Sequence, residues 1–85
     1  MKDKGLPEFS GHARSLKTGR YRHFKSAEKE YEVLGVARHS ETLEELVVYK
    51  ALYGEGDIWV RPLADFLAEV DAPEGKVKRF SYLED

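Results

Sequence analysis

The chain has 85 residues, three histidines, no cysteine and a formal net charge of −2. That length holds one small domain, without room for a second core or a large enclosed active site, and the lack of cysteine rules out disulfides and thiolate metal cages. The opening MKDKGLPEFSG lacks the apolar core of a signal peptide, and no run approaches the roughly 20 apolar residues of a membrane span, so a soluble cytoplasmic protein with no membrane partner is expected.

The small net charge conceals an asymmetry. Met1 to Lys29 carries eight Lys or Arg against three acidic residues, for +5, and the remainder carries six against thirteen, for −7. Residues 1–18 are rich in Gly, Pro, Ser and Lys, and Leu6, Phe9 and Leu16 fit neither the helical nor the strand period, so a mobile basic arm is expected before a single body over residues 19–85. Arg20-Tyr21-Arg22-His23-Phe24 then alternates basic with aromatic residues, as a strand with one buried face does.

After a polar turn over Lys25 to Lys29, the run Glu30 to Arg38 reads as a second strand. Plain alternation puts Tyr31, Val33, Gly35 and Ala37 on one face and Glu32, Leu34, Val36 and Arg38 on the other. Gly35 suits a bend. The loop His39 to Glu44 leads into Glu45 to Tyr53. Thr42 with Glu45 matches a helical capping box, but the run that follows is short and β-branched, so a strand is expected. Gly54-Glu55-Gly56-Asp57 makes a turn into Ile58 to Arg61, which Pro62 closes.

Beyond Pro62 two periods compete. Leu63, Phe66, Leu67 and Val70 have helical spacing, whereas Phe66, Ala68 and Val70 alternate, and one helical turn over Leu63 to Phe66 satisfies both. The chain then extends to Asp71, turns through Ala72-Pro73-Glu74-Gly75 and returns along Val77 to Tyr82. The fold class expected is mainly β: a small, strongly bent barrel of five or six short strands with one short helical turn.

The ordered motifs GRYRHFK at Gly19, YEVLGVA at Tyr31, HSET at His39, VVY at Val47, LYG at Leu52 and WVRP at Trp59 closely resemble the bacterial family known as domain of unknown function 1653. The resemblance runs from about Gly19 to Tyr82 and implies an SH3-like barrel; it implies no activity, and no cofactor. Two positions depart from the family pattern. Ser26 stands where a Gly usually follows the Lys of the opening motif, which bears on the register of the first hairpin, and Asp65 precedes Phe66 where a Met is common.

His39, Ser40 and Glu41 are the residue types of a hydrolytic triad, but consecutive side chains diverge and do not converge on one hydrogen-bonded line. His12, His23 and His39 have no metal-ligand spacing. Tyr49, Tyr53 and Trp59 flank the Gly54 to Asp57 turn, and Arg61 shares a strand face with Trp59, so these four are expected to form an aromatic and cationic patch; an ion pair of Arg61 with Glu41 or Asp65 is the structural alternative. The candidate ligand-binding set is therefore His23, His39, Ser40, Glu41, Thr42, Tyr49, Tyr53, Trp59 and Arg61. The expected function is a non-catalytic module for a protein, peptide or small ligand, monomeric and without metal. Two other classes remain: a nucleic-acid-binding accessory protein using the basic arm, which the acidic body opposes, and a small hydrolase or isomerase using His39 with Glu41.

Overall fold

The computed structural model describes residues 6–84. Among these described residues, seven strands and two short helices, against the five or six strands and one helical turn expected, follow in the order α1 (Gly11–Ser15), β1 (Gly19–His23), β2 (Ser26–Arg38), β3 (Glu45–Ala51), β4 (Ile58–Pro62), α2 (Leu63–Phe66), β5 (Glu69–Ala72), β6 (Gly75–Lys78) and β7 (Phe80–Tyr82). The mainly β class is as expected from sequence, and the barrel is not closed. Strands form an antiparallel five-stranded sheet in the order β4-β3-β2-β1-β7 and a separate β5-β6 hairpin, with β4 and β7 as open edges among the described residues.

Arg79 is the reason the last strand does not run on as one piece. Its N–H donates to the Ala68 carbonyl at 3.0 Å while its carbonyl accepts from the Phe24 N–H at 2.9 Å, and its Nε donates to the Asp65 carbonyl at 3.1 Å. The residue therefore crosses between sheets. Residues before it pair locally with β5 and residues after it pair with β1, so the expected Val77 to Tyr82 strand is divided.

β2, thirteen residues long, ends at Arg38 as expected but departs from expectation at its start and at an internal bulge. It starts at Ser26, so the tight turn is Phe24-Lys25, and three residues, 27–29, lack a β1 partner between the pairs Arg22↔Glu30 and His23↔Ser26. Further along, the register with β3 shifts between Val33↔Tyr49 and Gly35↔Val48. A bulge at Leu34 and Gly35 reverses the alternation. Val33 and Val36 both face the core, whereas Leu34 stays 48% exposed. Gly35 accordingly sits at the expected bend, but the two faces read from plain alternation exchange beyond it.

The core lies on the inner face of the large sheet. Val47, Val33 and Phe66 are almost wholly buried, and Tyr21, Tyr49, Leu63 and Phe80 pack around them. Phe66 and Phe80 stack with centroids 4.2 Å apart and planes 7° from parallel. Leu63 and Phe66 reach the core because α2 is the single turn expected after Pro62, its cap residue; a fixed φ at Pro62 starts the turn without needing an N–H.

The segment expected to be a free arm is docked over its described part. Ser10 caps α1, accepting from the Ala13 N–H at 3.1 Å, and its own N–H and hydroxyl each donate to the Glu45 carboxylate at 2.7 Å. Ala13 is buried, with Phe9 and Leu16 against the same cluster. The Arg38 guanidinium lies 4.0 Å from the Phe9 ring centroid and donates to the Pro7 carbonyl. Met1 to Gly5, the rest of that expected arm, lie outside the described residues.

Candidate functional site

Antiparallel pairing puts directly opposed residues on the same side of a sheet. Trp59 opposes Tyr49, and Arg61 opposes Val47; because Val47 and Tyr49 face inward, Trp59 and Arg61 project onto the inner face at the rim made by edge strand β4. Tyr31 pairs with Tyr21 on β1 and with Ala51 on β3, and His23 pairs with Phe80 on β7. The concave side of the sheet thus gathers side chains from five strands.

These groups line a pocket of about 370 Å³. Phe80, Tyr49 and Tyr31 form its aromatic walls; Arg61, His23, Lys25 and Lys29 supply its polar lining together with Ser26. Among the described residues no carboxylate lines it, although the chain as a whole is acidic. A second recess of about 210 Å³ shares Tyr31, Tyr49 and Arg61 and adds Tyr53 and Trp59.

Neighbouring groups hold the lining in place. Arg61 Nε donates to the Tyr49 hydroxyl at 3.3 Å, and its guanidinium carbon lies 5.6 Å from the Phe80 ring centroid. Neither Glu41 nor Asp65 pairs with it, so the sequence-stated ion pair is absent among the described residues. Tyr31 and Tyr53 share a 2.6 Å hydroxyl–hydroxyl hydrogen bond, with Tyr31 set edge-on to Tyr49 and Tyr53 at 5.4 Å. Burial, followed by that hydrogen bond, pushes the Tyr31 phenol up to about 12. The Lys29 ammonium stands 5.3 Å from the Tyr53 ring centroid.

His23 is the pocket group whose pKa is lowered by this environment. Burial lowers its pKa first, and the charges of Arg61, Arg79, Lys25 and Lys29 lower it further. Its Nδ1 accepts the Lys25 N–H at 3.2 Å, which leaves Nε2 as the protonated nitrogen of the neutral ring. A neutral imidazole among cations is the signature of a locally positive site.

The other sequence-named residues lie elsewhere. His39, Ser40, Glu41 and Thr42 form the β2–β3 turn, seven rows of the ladder from the Tyr31↔Ala51 pair, or about 20 Å along the hairpin. There the His39 Nδ1 accepts the Glu41 and Thr42 N–H groups at 3.0 and 3.3 Å, and the Thr42 hydroxyl accepts the Glu44 N–H at 3.2 Å. His39 and Thr42 hold the loop together, and none of the four lines either recess. The structure brings together His23, Tyr49, Tyr53, Trp59 and Arg61, and adds Lys25, Ser26, Lys29, Tyr31 and Phe80. Tyr31 and Phe80 stood out in sequence only as aromatics, and the two lysines only as members of a basic stretch; the β1–β2 turn is what carries those lysines to the pocket.

The family described as protein of unknown function, DUF1653, matches residues 19–82. The chain belongs to the DUF1653 family. Among solved structures, a crystal structure of a DUF1653 protein from Bordetella bronchiseptica is similar at 36% identity and a TM-score of 0.75, over 84% of this chain and 91% of that one. No curated protein matches. The matched span of this DUF1653 chain includes every pocket residue, whereas α1 precedes it. Among the described residues, no helix is long and apolar enough to cross a membrane, and no three His, Asp or Glu side chains converge as metal ligands would.

Proposed function

We propose that this DUF1653 domain is a non-catalytic binding module whose ligand, a peptide or small molecule, presents a carboxylate or phosphate beside a flat apolar group. One observation carries the reading: a recess of about 370 Å³ in which Arg61, Lys25, Lys29 and His23 meet aromatic walls with no acidic residue in the lining among the described residues. That volume lies within the ordinary range for small-ligand sites, roughly 300–1,000 Å³. The Tyr49 hydroxyl and the Phe80 ring orient the guanidinium before any ligand arrives, which lowers the ordering cost of binding. An anion there gains charge-assisted hydrogen bonds from Arg61, and its flat part lies against Tyr31 and Phe80. His39 and Glu41 lie outside this pocket, and the His39 Nδ1 is already taken by backbone, so a hydrolytic reading gains no support from the loop.

The test is a titration of the folded domain with benzoate, phenyl phosphate and benzylamine, followed through backbone amide NMR shifts. The expected outcome is saturable shifts at His23, Tyr31 and Arg61 with the two anions, weakening as salt rises. Absence of saturable shifts, or equal response to the benzylamine cation, overturns the proposal.

A further inference from the structure

The free edge of the large sheet carries three consecutive exposed apolar residues, Ile58 at 61%, Trp59 at 51% and Val60 at 58%. Such an edge is a template for another strand unless it is covered or charged. Its hydrogen-bonding groups can be assigned. The Asp57 carbonyl accepts from the Ala51 N–H at 2.9 Å, and antiparallel ladders alternate, so Asp57, Trp59 and Arg61 turn their backbone groups toward β3. Ile58 and Val60 turn theirs outward, where no strand pairs with them among the described residues. Pro62, which lacks an N–H, sits at the next outward position, as edge strands tolerate.

We propose that β4 pairs antiparallel with β4 of a second copy of this chain, about a two-fold axis through Trp59. In that register Ile58 lies opposite the second copy's Val60, and every outward N–H and C=O of those two residues finds a partner. Asp57 then lies opposite the second copy's Arg61, Ile58 against Val60 extends the exposed apolar face that includes Leu34, and the two Trp59 rings meet at the axis. The segment Asp57-Ile58-Trp59-Val60-Arg61 is thus complementary to itself in reverse, in charge as well as in apolarity. The neighbouring registers are worse. Centring on Val60 sets Pro62 opposite Ile58 and forfeits an N–H, and centring on Ile58 sets Asp57 opposite the indole and Val60 opposite Gly56. A two-fold interface of this kind closes on itself, so it stops at two copies. Asp57 of the second copy would stand on the face that carries the Arg61 pocket, so dimer formation and anion binding oppose one another.

A five-residue edge buries less than a standard interface, which places the dissociation constant in about the micromolar to millimolar range. Sedimentation equilibrium of the full chain from about 20 µM to 1 mM, set by that range, should show mass rising from one copy to two. Over the same series, amide hydrogen exchange should slow at Ile58 and Val60, while Trp59 and Arg61, already in the β3 ladder, change little. Asp57→Lys, at an exposed turn position, should weaken association by about fivefold or more through loss of two ion pairs and gain of like-charge contacts. One copy throughout, concentration-independent exchange at Ile58 and Val60, unchanged association of Asp57→Lys, or growth beyond two copies would each overturn the proposal, the last pointing to β4 on β7.

Discussion

Removing residues 1–16 should destabilise the domain, although sequence composition presents them as a solvated arm. Phe9 and Leu16 are partly buried against the core and Ala13 is 8% exposed. Complete burial of a Leu or Phe side chain contributes about 1.5–3 kcal/mol, and a methyl group about 0.8 kcal/mol, so half-burial of the two larger residues together with Ala13 amounts to about 3 kcal/mol. The Ser10 hydrogen bonds to Glu45 lie in solvent and fix the geometry of the segment more than they add to its stability. Ordering the segment costs roughly 1–2 kcal/mol per fixed residue, so the burial figure is a ceiling rather than a net gain; docking in nine molecules of ten requires about 1.4 kcal/mol, and a net loss of about 1.5–3 kcal/mol on removal is expected. A domain of this size has roughly 4–13 kcal/mol in all, so the truncated chain should still fold. With a urea m-value of about 1 kcal/mol/M, typical of small domains, the midpoint should drop by about 2 M. A midpoint within about 0.3 M of the full chain, a shift of a few tenths of a kcal/mol, would refute the docking of α1.

Phe66→Ala should cost about 3–5 kcal/mol in the same urea assay, because a nearly inaccessible ring stacked on Phe80 leaves a cavity. In an alkaline absorbance titration Tyr31 should ionise last, near its raised value of about 12. Since the unfolded phenol ionises near 10.0, Tyr31 stabilises the fold fully below that pH and loses its contribution as pH rises toward 12; Tyr53→Phe should lower the Tyr31 value only partly, because burial is the larger cause. His23 works in the opposite direction. Its folded pKa lies below the ordinary 6.5, so the unfolded chain takes up the proton first, and stability present above 6.5 falls as pH drops below it. His23→Gln should flatten the dependence of stability on pH between about 5 and 7, the interval in which imidazole alone among unperturbed side chains titrates.

Much of the strand order could be read from local signals. Alternation located β1, the β-branched run Leu46-Val47-Val48 identified β3 against a competing capping box, and Pro62 announced the turn of α2. Long-range pairing was harder to read. The faces of β2 exchange at Leu34 and Gly35 because a bulge inserts one residue, and alternation carries no mark of which residue is extra. The last strand divides at Arg79 because its backbone bonds to Ala68 and Phe24, both distant in sequence. In the amino-terminal segment the signal was present but faint: Phe9, Ala13 and Leu16 stand at i, i+4 and i+7 behind the capping residue Ser10, and one small alanine does not look like an apolar anchor.

The site shows the same division. Trp59, Arg61 and Tyr49 were legible as one patch because they lie on adjacent strands around a short turn. The His39 loop drew attention through its residue types, yet the His39 Nδ1 and the Thr42 hydroxyl accept backbone N–H groups of their own turn. Lys25 and Lys29 belong to the pocket for a reason that only register supplies: β2 carries three unpaired residues, 27–29, opposite Arg22 and His23.

The cationic pocket is tested most directly by titrating the His23 imidazole by NMR with and without saturating benzoate, at low protein concentration. An anion beside Arg61 offsets the positive charges that depress His23, so its pKa should rise on binding, and Arg61→Gln should abolish the benzoate-dependent part of that rise. A His23 titration that benzoate leaves unmoved, or moves equally in Arg61→Gln, would contradict anion binding at this site.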